Sequence, residues 1–220
     1  MKTYLSIPGP SKAPRQECVA FYKYDGSNIR AEWQRKTGWC KFGTRKRLLD
    51  TSDPDFGTAI PCFMETYADD LAKVFTNNKA FRGVQRATVY MEYFGETTFS
   101  GYYDPVEPRE LMLIDVCIYK KGYVLPSDFV KHFGHLKSAE VVYRGNLNES
   151  LIYNVRNGQY NVKEGVVCKG VIMGKKKSPQ HGLWMTKIKT KWWMETLKSR
   201  AKTDEVFRQA LRENVGEQGF

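Results

Sequence analysis

Residues 21–30 read FYKYDGSNIR, in which Lys23 stands two positions before an Asp-Gly pair at the end of a strand-like run. Aspartate-glycine pairs favour tight turns, so the pattern predicts that the chain reverses here and enters a second strand over 29–34. A Thr-Gly pair at 37–38 predicts a turn into a third strand. The chain is therefore expected to begin with an antiparallel meander. Lys23 is then either a surface lysine beside a turn or a nucleophile at the mouth of a pocket.

The composition predicts a folded, basic protein. The chain has 220 residues, of which 41% are hydrophobic and 14% aromatic, enough for a full core in one large domain or in one domain plus a small appendage. Its formal net charge is +11. A charge of this size favours a polyanionic partner, either nucleic acid or a phosphate-bearing substrate, although an ordinary basic protein would carry it too.

The cysteines and the first residues predict an intracellular protein. The five cysteines are scattered and form no CxxC pair, so neither a zinc site nor a disulfide framework is expected. Residues 1–16 carry proline and lysine where a signal peptide needs an apolar core, and no run approaches a membrane span. We expect a cytoplasmic monomer without a membrane partner, in an ordinary cell or a virus-infected host cell.

The hydrophobic pattern predicts an α+β fold, with antiparallel sheets and flanking helices. Apolar residues at helical spacing predict one helix over 61–75, and shorter helices are expected near 127–133 and 147–156. Strands are predicted at 18–23, 87–94, 111–119, 139–143, 165–169 and 183–189. The region 190–214 is predicted to form one or two helices. Because only 31 residues follow Lys189, we expect a main domain over 1–189 and a short helical extension over 190–220, with no separate OB-fold.

Several charged residues stand inside predicted strands or at their ends: Glu92, Asp115, Glu164, Lys187 and Lys189. Each one alone is most simply a solvent-facing strand residue. Together with Lys23 they form an ordered series along almost the whole chain. The series is therefore the observation that calls for a functional explanation.

This series resembles the covalent nucleotidyltransferase superfamily of ATP-dependent polynucleotide ligases and mRNA capping enzymes. The matching elements are KYDGSN at 23–28, TRKR at 44–47, VYMEYFG around Glu92, LMLID ending at Asp115, EGVV from Glu164 and KIK at 187–189. A lone K-x-D-G would be a weak signal, whereas six elements in order are a strong one. The resemblance implies the ATP-grasp-like nucleotidyltransferase (adenylation) domain of those ligases.

Asn28 directs the resemblance towards RNA. DNA ligases and capping enzymes typically have arginine at this position, five residues after the lysine, whereas the K-x-x-G-x-N form is similar to nick-sealing, phage-type RNA ligases of the RNA ligase 2 group. The resemblance implies an ATP-dependent RNA ligase that joins 3′-hydroxyl and 5′-phosphate ends through a lysyl-AMP intermediate and an adenylylated 5′ end. Its partner would be RNA carrying such ends, in a nicked duplex or a broken strand.

The chemistry of such a reaction needs the residue types of the series. Lys23, as the nucleophile, must be neutral to attack the α-phosphate, so its pKa has to fall from its usual value near 10.4. Neighbouring cations favour that, and Lys187 and Lys189 are expected to supply them and to hold the phosphate oxygens. Mg²⁺ prefers one or two carboxylates together with phosphate oxygens.

The resemblance implies roles for the remaining positions. Glu164 would hold Mg²⁺ (or Mn²⁺) and contact the nucleotide, and Glu92 would contact the ribose. Arg45 would bind the nucleotide or the incoming 5′-phosphate, and Asn28 would position the phosphate during sealing. Ile114 stands where the family often stacks a phenylalanine on adenine. Tyr22, directly before the nucleophile, is a further expected nucleotide contact.

Three alternatives remain open from the sequence. The same chemistry would serve a small ATP-dependent DNA ligase or a capping-type guanylyltransferase, against which Asn28 argues. A different class is a catalytically inactive nucleic-acid-binding protein on a ligase fold. The basic run Lys175–Lys177 is either a solvated loop or a contact to a phosphate backbone.

Overall fold

The computed structural model describes residues 1–95, 108–172 and 182–215, so the basic run Lys175–Lys177 lies outside the described residues. The strands are β1 (Glu17–Lys23), β2 (Ser27–Gln34), β3 (Gly38–Thr44), β4 (Leu48–Leu49), β5 (Arg86–Phe94), β6 (Glu110–Ile118), β7 (Gly122–Tyr123), β8 (Val141–Asn146), β9 (Gly165–Val171) and β10 (Leu183–Lys189). The helices are α1 (Ala59–Thr66), α2 (Ala68–Asn77), α3 (Pro126–Phe133), α4 (Glu149–Arg156), α5 (Lys191–Thr203) and α6 (Glu205–Val215). The predicted α+β class is confirmed.

The strands form two antiparallel sheets. A four-stranded sheet has the order β10-β9-β1-β8, and a six-stranded sheet has the order β4-β3-β2-β5-β6-β7. One face of the six-stranded sheet packs on α1, α2 and α3. The four-stranded sheet packs on α4, and a smaller cluster around Tyr4, Tyr90 and Leu183 joins the two sheets.

The predicted meander is wrong at its first turn, because β1 and β2 belong to different sheets. Lys23 pairs with Gly165 of β9, whereas Ser27 pairs with Tyr93 of β5. The chain thus passes from one sheet to the other between these two residues. Gly26 lies so close to β5 that a Cβ atom there would be 2.4 Å from the carbonyl oxygen of Tyr93. Lys23 is consequently at the junction of the sheets.

The single helix predicted over 61–75 is two helices that meet at Tyr67. The Tyr67 backbone leaves the helical region, with φ −129° and ψ −26°. Its buried side chain places the hydroxyl 2.7 Å from the carbonyl oxygens of both Leu111 and Lys137. These two contacts anchor the Tyr67 side chain at the point where the helix is interrupted.

Residues 1–9, which we call the amino-terminal strap, cross between the sheets. Tyr4 is buried and donates a hydrogen bond to Asp115, and the Tyr90 hydroxyl donates to the carbonyl oxygen of Lys2 at 3.1 Å. The backbone N–H of Lys187 donates to the carbonyl oxygen of Pro8 at 2.9 Å. The strap therefore has contacts with both sheets.

After β10 the chain forms the helical pair α5 and α6, which packs around Trp193, Leu197, Phe207 and Leu211. Thr190 caps α5 by accepting a hydrogen bond from the N–H of Trp193. Within the described ranges, no helix is long and apolar enough to cross a membrane.

Candidate active site

Lys23, Lys189 and Glu164 form a three-residue ion cluster at the junction of the sheets. Lys23 Nζ lies 2.8 Å from Glu164 Oε2, and Lys189 Nζ lies 3.0 Å from Glu164 Oε1. The Glu164 side chain is only 4% exposed, whereas the two lysines are about one-fifth exposed, at 22% and 19%. One buried carboxylate thus holds two ammonium groups at the edge of solvent.

The sheet register produces this arrangement. Strand β9 lies between β1 and β10, and Gly165 pairs with Lys23 on one side and with Lys189 on the other. Gly165 has φ +150°, and a Cβ atom there would lie 2.0 Å from the carbonyl oxygen of Ile188. Only glycine fits such a position, and it places the preceding residue, Glu164, between the two lysines.

An open cleft of about 640 Å³ lies over this cluster. The predicted site residues that line it are Tyr22, Lys23, Asn28, Arg45, Glu92, Ile114, Lys187 and Lys189. Glu164 lies beneath the cleft, where both its oxygens contact lysines. The structure therefore brings all nine predicted positions to one place.

Asn28 and Glu92 lie side by side on β2 and β5, as paired residues of the six-stranded sheet. Asn28 Nδ2 donates to the carbonyl oxygen of Met91 at 3.3 Å. Within the described part of the chain, the buried Oδ1 atom of Asn28 has no hydrogen-bond partner. A buried acceptor without a partner is costly, and Asn28 lines the cleft, so this oxygen is a candidate acceptor for a bond from a ligand there.

The basic element at 44–47 divides into two parts. Arg47 forms an ion pair with Asp53 at 2.7 Å and a longer one with Asp55 at 3.4 Å. Arg45 and Lys46 are exposed and line the cleft, where Arg45 contributes to the electrostatics of Glu92. Of the two arginines in this element, Arg47 is thus paired with these two aspartates and Arg45 is not.

Ile114 reaches the cleft because β6 contains a β-bulge. Tyr90 pairs with Asp115 and Met91 pairs with Leu113, which leaves Ile114 as the extra residue. Bulges redirect side chains and are frequent beside active sites. Ile114 is also held through its carbonyl oxygen, which accepts a hydrogen bond from Lys169 Nζ at 2.8 Å.

Tyr22 has a position at the rim. Its ring lies 4.7 Å from the ring of Tyr24, centroid to centroid, and its hydroxyl accepts a hydrogen bond from the N–H of Lys163 at 3.3 Å. The side chain also packs against the core of the four-stranded sheet. Its contact with the cleft is therefore peripheral.

The pKa of Lys23 is raised in this structure, contrary to the prediction that neighbouring cations lower it. Burial alone lowers this pKa, but the carboxylates of Glu164, Glu92 and Asp25 outweigh burial. The prediction failed because Glu164 lies closer to Lys23 than sequence spacing could reveal. Lys187 instead has a lowered pKa, owing to burial and the nearby charges of Lys189 and Lys23.

Two carboxyl groups beside Lys23 are poised to titrate near neutrality. Burial raises the pKa of Glu92 to about 7, against the opposing attraction of Lys23 and with help from Glu164. Burial and Glu164 likewise raise the pKa of Asp25 to about 7. The pKa of Glu164 itself is lowered, since Lys23 and Lys189 outweigh the effect of burial.

Asp25 is a candidate site residue that the sequence analysis treated only as part of a turn. Its Oδ2 atom is buried and has no hydrogen-bond partner among the described residues. The signal was available in the sequence, since an acid two positions from a candidate nucleophile can serve the site. The burial of this oxygen, however, is not evident from the sequence.

The carboxylates fit a weakly coordinated divalent cation better than a dedicated metal cage. No cluster of three or more His, Cys, Asp or Glu side chains suited to a metal occurs in the described ranges. Glu164 contacts Lys23, and the charge of Asp25 also acts on that lysine. Mg²⁺ commonly uses one or two carboxylates and takes its other ligands from phosphates and water.

A buried ion pair beneath the cleft was not predicted. Lys169 Nζ lies 2.7 Å from Asp115 Oδ2, both side chains are at most 3% exposed, and Lys169 also lines the cleft. Its ammonium group lies 4.7 Å from the centre of the Phe21 ring. The sequence shows Lys169 only as one more charged residue in a strand, so nothing in the pattern indicated that it is buried.

Comparisons with known proteins identify the fold. No protein-family model and no curated protein matches the sequence. Among solved structures, a lysine mutant of Naegleria gruberi RNA ligase with ATP and Mn is similar, with a TM-score of 0.60 and 17% identity over 84% of this chain and 53% of that chain. The same ligase with PPi gives 0.59 and 18% over 84% and 53%.

An archaeal ATP-dependent RNA ligase is also similar, with a TM-score of 0.56 and 14% identity over 92% of this chain and 51% of that one. At these identities the likeness shows the fold alone, which this chain shares with these RNA ligase structures. The chain spans about half of the length of these solved structures.

Proposed function

We propose that the protein is an ATP-dependent RNA ligase whose nucleophile is Lys23. The observation that carries the proposal is the ion cluster of Lys23, Glu164 and Lys189 at the floor of a cleft of about 640 Å³. Asn28, Glu92 and Lys187 line the same cleft. The fold shared with RNA ligases supports the proposal.

In the first step, neutral Lys23 would attack the α-phosphorus of ATP. A P–N bond forms, the bond to the leaving oxygen breaks, and pyrophosphate departs. A 5′-phosphate oxygen of RNA would then attack the lysyl-AMP phosphorus and release Lys23. Finally a 3′-hydroxyl would attack the adenylylated 5′ end, giving a phosphodiester and AMP.

The three lysines would have different roles in the first step. Lys187 and Lys189 would hold the oxygens of the α-phosphate while negative charge builds on them, because fixed cations in a cleft stabilise such charge. Lys23 must lose a proton before it attacks, although the neighbouring carboxylates raise its pKa and so stabilise the protonated form. The approach of the negatively charged ATP would hinder that loss, so a further cation is needed to offset both effects.

We propose Mg²⁺ (or Mn²⁺) as that cation, with Glu164 and Asp25 as the residues that hold it. When bound, it would neutralise negative charge on the phosphates. Glu92 would contact the ribose, and Arg45 would contact the nucleotide or the 5′-phosphate. Ile114 and Tyr22 would contact the base, and Asn28 would accept a hydrogen bond in the sealing step through Oδ1.

The finer assignments rest on sequence. The K-x-x-G-x-N form at Lys23–Asn28 supports the nick-sealing RNA ligase 2 group, with RNA bearing 5′-phosphate and 3′-hydroxyl ends as the substrate. We propose that residues 1–189 are the adenylation domain, that 190–220 are a helical extension of it, and that the protein acts as a cytoplasmic monomer.

The proposal is tested by incubating the protein with α-labelled ATP and Mg²⁺. We expect an acid-resistant AMP adduct on wild type and none on Lys23→Met, whereas Lys12→Met, which replaces an exposed lysine that does not line the cleft, retains it. Absence of an adduct on folded wild type would overturn the proposal. It would favour the alternative of an inactive nucleic-acid-binding protein.

The choice of substrate distinguishes an RNA ligase from a DNA ligase and from a capping-type guanylyltransferase. Labelled GTP in place of ATP tests for a capping-type guanylyltransferase, and nicked duplexes with DNA or RNA strands at the nick test for a DNA ligase. We expect ATP to label Lys23, GTP not to label it, and sealing to require RNA at the nick.

A further inference from the structure

The cleft face of the six-stranded sheet continues beyond the candidate active site. Along β5, Glu92, Tyr90, Thr88 and Arg86 alternate with residues of the core and so face the cleft side. Glu92 lies at the active-site end, and Arg86 lies six residues away, about 20 Å along an extended strand. The amino-terminal strap crosses this face between them, bound to Tyr90 through the carbonyl oxygen of Lys2.

A second cavity, which we call the outer pocket, lies at the far end of this face. Its volume is about 430 Å³, and it is lined by Lys2, Glu32, Arg86, Thr88, Tyr119 and Lys120, among others. The strap thus contributes to both cavities, since Lys2 lines the outer pocket and Tyr4 lines the active-site cleft. The two cavities share one sheet face and one crossing segment.

The outer pocket presents an aromatic ring together with cations. The guanidinium carbon of Arg86 lies 3.6 Å from the centre of the Tyr119 ring, and Lys120 Nζ lies 5.6 Å from it. Tyr119 is nevertheless 53% exposed. Unpaired bases stack on aromatic rings and guanidinium planes, and nearby cations hold the phosphates.

The one acidic residue named above does not cancel this charge. Glu32 is 2% exposed, its Oε1 atom accepts a hydrogen bond from Gln34 at 3.2 Å, and its Oε2 atom lies 3.9 Å from the amino group of Met1. Its carboxylate is therefore compensated within the protein. Lys2 Nζ donates to the buried Cys117 Sγ at 3.4 Å, so Arg86 and Lys120 are the cations that leave the mouth of the pocket positive.

We propose that the outer pocket binds single-stranded RNA that extends from the reacting end. A base stacks on the Arg86–Tyr119 pair, and Lys120 contacts its phosphate. The RNA has to pass over the strap, so the distance along β5, roughly six nucleotides at the 3.4 Å spacing of stacked nucleotides, is the shortest connection between the two cavities. The identity of the ligand as RNA rests on the proposed function, whereas the pocket is separate from the site of AMP transfer.

The test compares fluorescently labelled single-stranded RNAs of about 4 and about 12 nucleotides by anisotropy. We expect Arg86→Ala and Tyr119→Ala each to weaken binding of the longer RNA by about 5-fold or more, and to leave the shorter one unchanged. Tyr119→Phe, which keeps the ring, should bind as wild type does. Lys120→Ala should reduce the salt dependence of log K by about one unit of slope or less.

Two matched control variants remove an arginine and a tyrosine that lie outside the outer pocket. Arg82→Ala removes an exposed arginine outside the pocket, and Tyr153→Ala removes a tyrosine that is 65% exposed on α4. Neither should affect binding. If Arg86→Ala and Tyr119→Ala bind the longer RNA as these controls do, the inference is wrong.

Lys23 adenylylation separates this inference from the proposed function. The outer-pocket variants should form the AMP adduct at the wild-type level, because they leave the ATP cleft intact. Loss of long-RNA binding in a protein that forms no adduct would support the pocket and overturn the ligase proposal. A normal adduct, together with undiminished RNA binding in the outer-pocket variants, would support the ligase proposal and overturn the outer pocket as an RNA site.

Discussion

Lys169 and Asp115 form a buried ion pair, with a 2.7 Å contact that joins β9 of the four-stranded sheet to β6 of the six-stranded sheet. The pair lies beneath the cleft, and Tyr4 of the strap also donates to Asp115. Removing either charge leaves the other one buried with incomplete compensation. The pair is therefore expected to stabilise the junction of the two sheets that hold the site.

The first prediction concerns this pair. Lys169→Met and Asp115→Asn should each lower the free energy of unfolding by about 3–5 kcal/mol, and the double variant should cost less than the sum by at least about 1 kcal/mol. Urea denaturation of the four proteins measures this coupling. The exposed Lys73–Asp70 pair on α2, treated in the same way, should show no measurable coupling. Strict additivity at Lys169 and Asp115 would refute the prediction.

The second prediction concerns the proton on Lys23. Glu164→Gln removes the carboxylate that contributes most to raising the pKa of Lys23, so this pKa should fall. Labelling with an amine-reactive reagent across a pH series, read by peptide mass spectrometry, gives the midpoint for Lys23. We expect a lower midpoint in Glu164→Gln and the wild-type midpoint in Glu65→Gln, an exposed control on α1. An unchanged midpoint in Glu164→Gln would contradict the electrostatics described here.

The third prediction concerns Gly165. An alanine there has to adopt φ +150° and places its Cβ atom 2.0 Å from the Ile188 carbonyl oxygen, so we expect a loss of at least about 3 kcal/mol. Gly158 also has a positive φ, +76°, but has open space around it. Gly158→Ala should cost only about 1 kcal/mol. Equal losses in denaturation experiments would show that β10 does not constrain Gly165.

The fourth prediction concerns pH. Because the pKa of Glu92 is raised from 4.5 to about 7, the folded protein holds a proton that the unfolded chain releases at lower pH. Stability from this group is present below about pH 4.5 and is lost as pH rises through 7. Relative to Glu92→Gln, wild type should lose up to about 3 kcal/mol between these limits. Denaturation at several pH values in a metal-free buffer tests this, and a stability difference that stays constant with pH would exclude it.

The fifth prediction concerns the base. If Ile114 covers adenine, Ile114→Phe adds an aromatic surface and should tighten ATP binding about 5-fold or more, because stacking on an aromatic ring contributes about 1–3 kcal/mol. Ile114→Ala should weaken it. Calorimetry on a Lys23→Met background prevents turnover. Weaker binding in a folded Ile114→Phe protein would remove Ile114 from the base site.

Local patterns in the sequence predict most strands, whereas the residues that meet in the cleft were expected from the resemblance to polynucleotide ligases. In LWMTKIK, alternation correctly places Lys187 and Lys189 on one face of β10. The partner of a strand is a different matter, since it depends on residues far along the chain. The Asp-Gly turn after Lys23 therefore suggested a hairpin, although β1 pairs with β8 and β9.

The direction of the Lys23 pKa shift could not be predicted from the sequence for a similar reason. The pattern supplied cations for Lys23 but not the 2.8 Å contact with Glu164, which reverses the direction of its pKa shift. The burial of Lys169 and the bulge at Ile114 also follow from how the sheets pack. Residue types were predictable, whereas distances and burial were not.

The position of β1 between β8 and β9 has a consequence for folding. Neither partner of β1 is closer in sequence than residue 141, and Lys23 meets Glu164 across 141 residues. Contacts of such high sequence separation slow folding, because the entropy of closing the loop is lost before the contact forms. During synthesis, β1 cannot pair with β8 or β9 until these strands have left the ribosome. The nucleophile should therefore acquire its environment late, and a truncated nascent chain should not react with ATP.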